Sequence, residues 1–167
     1  GDFTPDNRFY LTLRREVPGR ALIIESAARG RSESLYLQNA LTTNDTLPFR
    51  FILKSTGAVD PTGISDNSLV ILNDAGEMSS ALSESLTKFV EAGGQIIIAT
   101  GPRTESDGFN RSLQRITPAT LREAVETKPG ESVAIVDLKF DHPIFEIFRQ
   151  GARLAAAHVF GYFRSEP

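Results

Sequence analysis

The stretch from Ser68 to Gly101, SLVILNDAGEMSSALSESLTKFVEAGGQIIIATG, constrains the fold more than any other part of the chain. Leu69, Val70, Ile71 and Leu72 form a run with no polar break, the pattern of a strand covered on both faces. Leu82, Leu86, Phe89 and Val90 recur at helical spacing and make one apolar stripe. Ser79 or Ser80 is placed to accept from the free N–H groups of the first turn. Gly93 and Gly94 supply the left-handed residue that ends a helix. Ile96, Ile97, Ile98 and Ala99 read as the next buried strand. A strand–helix–strand unit this short is a right-handed crossover, so its two strands lie parallel.

The flanking segments extend the alternation. Phe9 to Leu13 reads as an edge strand or the tail of a preceding domain, and Arg20 to Glu25 (RALIIE) as the first buried strand, entered through Pro18-Gly19. Ser32 to Leu41 reads as a helix and Pro48 to Lys54 as an outer strand. A loop rich in Gly, Pro and Asp spans Gly57 to Asp66. A short helix is expected around Leu113, a fifth parallel strand over Ser132 to Leu138, a short helix over His142 to Arg149 and a closing strand over Leu154 to Phe163. The fold class expected is α/β: a three-layer, mainly parallel, doubly wound sheet of flavodoxin-like type. Ala21–Ile24, Leu69–Leu72, Ile96–Ala99 and Val133–Val136 are its expected inner strands, because they carry the densest β-branched apolar content. Residues 1–8 read as a tag remnant or linker from a preceding domain, and 9–167 as a single domain.

Composition removes several function classes. With 18 basic and 21 acidic residues the net charge is -3, so no overall field favours nucleic acid. The arginines crowding the N-terminal part, Arg8 to Arg31, have no interleaved aromatic motif and read as solvated or interface charges. The chain has no cysteine, which removes disulfides, cysteine-ligated zinc and thiol nucleophiles together. Its two histidines, His142 and His158, are far apart, and no metal site or cofactor is expected. No run approaches the ~18 apolar residues of a membrane span.

Taken in order, DNRFY, RALIIE, YLQNAL, SLVILND, LTKFVEAGGQIIIATG and the late DHPIF resemble the class I glutamine amidotransferase-like domain. The likeness is to the version found in large bacterial membrane proteins of the aerotolerance-regulator (BatA-like) group, and it covers roughly residues 6 to 163. The resemblance implies an amidotransferase-like fold and an extracytoplasmic (periplasmic) module, attached to the membrane through segments outside this sequence. It implies protein partners, or other domains of the same chain, rather than nucleic acid.

Working members of that class carry a cysteine on a tight strand-to-helix elbow, with His and Glu from a late His-Pro-Glu stretch. Here Gln95–Ala99 runs into Thr100-Gly101-Pro102, and the late stretch reads His142-Pro143-Ile144-Phe145-Glu146, with the acid displaced by two positions. Pro102 also takes one N–H from any donor nest beside Thr100. Amidotransferase chemistry is therefore not expected. A phosphoacceptor reading, with Glu25, Asp74, Thr100 and Lys139 near strand ends, lacks the acidic pair after the first strand and is set aside. Asn73 and Asp74 sit where open α/β sheets bind ligands, although an Asn-Asp pair there more often shapes a turn with Asx hydrogen bonds. Thr100, Gly101, Arg103 and Thr104 could form an anion-binding turn, but one glycine with no GxGxxG or P-loop pattern is a weak cradle, and Arg103 reads as solvated.

The function expected is a non-catalytic interaction or sensing module. The alternative is a small-ligand domain using the rim formed by Asn73, Asp74, Thr100, Gly101 and Arg103, with His142 on the same edge by analogy with the late His-Pro. An interaction module predicts exposed apolar surface, and a sensor predicts a closed polar pocket.

Overall fold

A computed structural model describes residues 19–26, 34–42, 49–136, 142, 143, 145 and 157–167. Four parallel strands form the main sheet: β1 (Gly19–Glu25), β2 (Phe49–Ser55), β3 (Leu69–Asn73) and β4 (Gln95–Ala99), in the order β2-β1-β3-β4. The register sets Leu22 beside Ile52 and Val70, and Val70 beside Ile96. Alternate side chains therefore form two cores. On one face Leu22, Ile24, Val70 and Leu72 meet Leu82, Leu86 and Phe89 of helix α2 (Ser80–Glu91) and Leu113 of helix α3 (Ser106–Leu113). On the other, Ala21, Ile23, Leu69 and Ile71 pack against Leu37 and Leu41 of helix α1 (Leu35–Thr42). Helices on both faces of a parallel sheet make a three-layer α/β fold.

The ends of α2 follow the residues expected. Ser79 Oγ accepts the Leu82 N–H at 3.3 Å. Gly93 takes φ +92°, and the Gly94 N–H reaches back to the Phe89 carbonyl at 2.8 Å.

Two of the four expected inner strands are placed differently. Ile96–Ala99 does pair in parallel with β3, but among the described residues β4 is the last strand of the sheet. Ile96 and Ile98 pack on the α2 side, whereas Ile97 on the opposite face is 53% exposed. Val133–Val136 is not part of the main sheet: Val133 makes an isolated antiparallel bridge to Val159, and Val136 is 86% exposed. A β-branched run suits any extended partner, so its composition does not select a parallel neighbour. The expected outer strand, Pro48–Lys54, is β2 at the other sheet edge. The expected strand at Phe9–Leu13 lies outside the described residues, as does most of the expected helix at His142–Arg149 and the start of the Leu154–Phe163 strand.

A second, two-stranded antiparallel sheet joins β5 (Thr120–Glu126) to β6 (Gly161–Glu166), with one extra residue on β5 between Leu121 and Ala124. Such a ribbon is marginal alone. Helix α3 holds it through two side chains: Ser106 Oγ donates to the Arg122 carbonyl, while Asn110 Nδ2 donates to the Leu121 carbonyl and Asn110 Oδ1 accepts the Leu121 N–H, both at 2.9 Å. The Asn110 amide thus meets the outer edge of β5 at Leu121 as a neighbouring strand would. Replacing Asn110 by alanine is expected to cost about 1–3 kcal/mol, the penalty for unsatisfied polar groups. Hydrogen exchange should show the loss concentrated in Thr120–Glu126 and Gly161–Glu166, with β1 and β3 unchanged.

Candidate functional site

In an open parallel sheet the carboxyl ends of the strands are the usual ligand rim, above all where the strand order reverses. Here that point lies between β1 and β3, and the chain's own groups bridge it. Thr56 Oγ1 lies 3.1 Å from the Glu25 carbonyl and 2.5 Å from the Ala75 carbonyl, linking the loops that leave the two strands. The buried Glu25 carboxylate accepts the Ser34 N–H at 2.9 Å. Asn73 Nδ2 donates to the hydroxyl of the fully buried Ser34 at 3.0 Å.

The neighbouring gap, between β3 and β4, is closed by Asp74. This residue adopts φ +46°, a left-handed conformation that Asp tolerates better than most residues. Its N–H donates to the Ala99 carbonyl at 2.8 Å, carrying the β3–β4 pairing into the loop. Its buried carboxylate accepts the Arg103 backbone N–H, 3.1 Å from each oxygen, and the Thr104 hydroxyl at 3.0 Å. Thr104 Oγ1 in turn accepts the Gly101 N–H at 3.1 Å. A Cβ on Gly101 would stand 2.6 Å from Asp74 Cγ, so only glycine lets the carboxylate seat there. The turn Gly101–Thr104 does bind an anion, and that anion is the chain's own Asp74.

Four of the residues expected at the rim, Asp74, Thr100, Gly101 and Arg103, lie in or beside this clasp. Asn73 turns its amide away to Ser34. His142 is exposed, with its ring 6.0 Å from that of Phe145. Thr56 and Ser34, which close the β1–β3 crevice, carry no signal in the linear sequence, because their partners are 9 to 39 residues away.

Beside the clasp lies an open cleft of about 440 Å³, lined by Thr100, Arg103, Glu77 and Glu105 over Ile98 and Phe109. Its charges are mixed. Among the described residues no group of three or more His, Asp and Glu side chains is placed to hold a metal ion, and no helix is long and apolar enough to cross a membrane. Away from the rim, the Asp60 carboxyl is held below its ordinary value by the Thr62 backbone N–H and hydroxyl that it accepts. The Arg122 guanidinium is raised by its hydrogen bond to Glu166. Comparison of the chain with protein-family models, curated proteins and solved structures finds no match.

Proposed function

We propose that this chain is a non-catalytic, amidotransferase-like interaction module of a larger, membrane-anchored bacterial protein, working on the extracytoplasmic side. The observation that carries this reading is the Asp74 clasp. In a working amidotransferase the corresponding rim presents a nucleophile and an open set of N–H donors to a substrate. Here the Arg103 N–H and the Thr104 hydroxyl are turned onto an internal carboxylate, and Gly101 has no room for a side chain. Thr100 is the one hydroxyl at the strand exit, and it precedes Gly101 and Pro102. Large apolar side chains meanwhile face solvent, among them Tyr36, Ile97, Val136, Phe160 and Tyr162, which suits association more than turnover.

A second reading, small-ligand binding, draws on the cleft beside Thr100 and Arg103. Its open shape and mixed charge favour it less than a closed polar pocket would. The catalytic alternative is tested by ammonia release from glutamine. The chain is expected to release none above the uncatalysed background. Release that disappears in Thr100→Ala would overturn the proposal.

A further inference from the structure

We draw no further inference here: the strongest candidate, the cavity of about 600 Å³ between Pro61–Asp66 and the last turn of α2, carries nothing, because the unpartnered buried acceptor of its lining residue Asn67, Oδ1, is shut off from solvent and nothing in the structure shows what would fill the space.

Discussion

Replacing Asp74 by alanine is expected to lower the unfolding free energy by about 3 kcal/mol, summed from a lost charged acceptor and a left-handed alanine. The first contribution comes from the Arg103 N–H and the Thr104 hydroxyl, which lose a buried carboxylate. The second comes from φ +46°, which Asp relieves through local hydrogen bonds and alanine does not. Asp74→Asn keeps one oxygen acceptor and the tolerance for this conformation, so its loss should be less than half as large. Denaturant unfolding of the two variants checks the ranking. Equal losses would show that the carboxylate alone matters and the conformation does not, and no loss in Asp74→Ala would show that the clasp contributes nothing.

Leu86→Ala should be the most damaging single core truncation, costing about 2–5 kcal/mol. Leu86 is fully buried at the centre of the α2 stripe, where it meets the β1 and β3 side chains of that face. The lost methyl groups leave a cavity that a parallel sheet, fixed by its hydrogen bonds, closes poorly. Ile97→Thr is the matching comparison. Ile97 belongs to a run as apolar as any in the chain, yet it stands half out in solvent on β4, the last strand of the sheet among the described residues. Its replacement should change stability by roughly 0.5 kcal/mol or less, as surface substitutions do. A large loss at Ile97 would mean that β4 is covered on both faces.

That contrast marks what the sequence makes legible and what it does not. Leu69–Leu72, the α2 stripe with Ser79, and the Gly93-Gly94 stop are local patterns, and the structure follows each of them. Sheet position is not local. Ile96 to Ile98 reads as buried throughout, but burial on the second face depends on an element packing there. Val133 to Val136 fails for a related reason: β-branched content specifies an extended backbone and leaves its partner open. Thr120–Glu126 gave no strand signal, because its polar sequence depends on Asn110, supplied by a helix eleven residues away. At the rim, Asp74, Gly101, Arg103 and Thr104 were each visible as turn or anion-site residues. That they satisfy one another is visible only once β3 and β4 lie side by side.

The central claim, that the polar rim is closed upon itself, is tested most directly by amide hydrogen exchange at Arg103. This N–H lies in a loop, where exchange is ordinarily fast, and the Asp74 carboxylate is its acceptor. It should be protected to a degree comparable with the amides of β3, and that protection should disappear in Asp74→Ala while β1 retains its own. Exchange of the Arg103 amide at the rate of an unstructured loop in the unaltered chain would contradict the account.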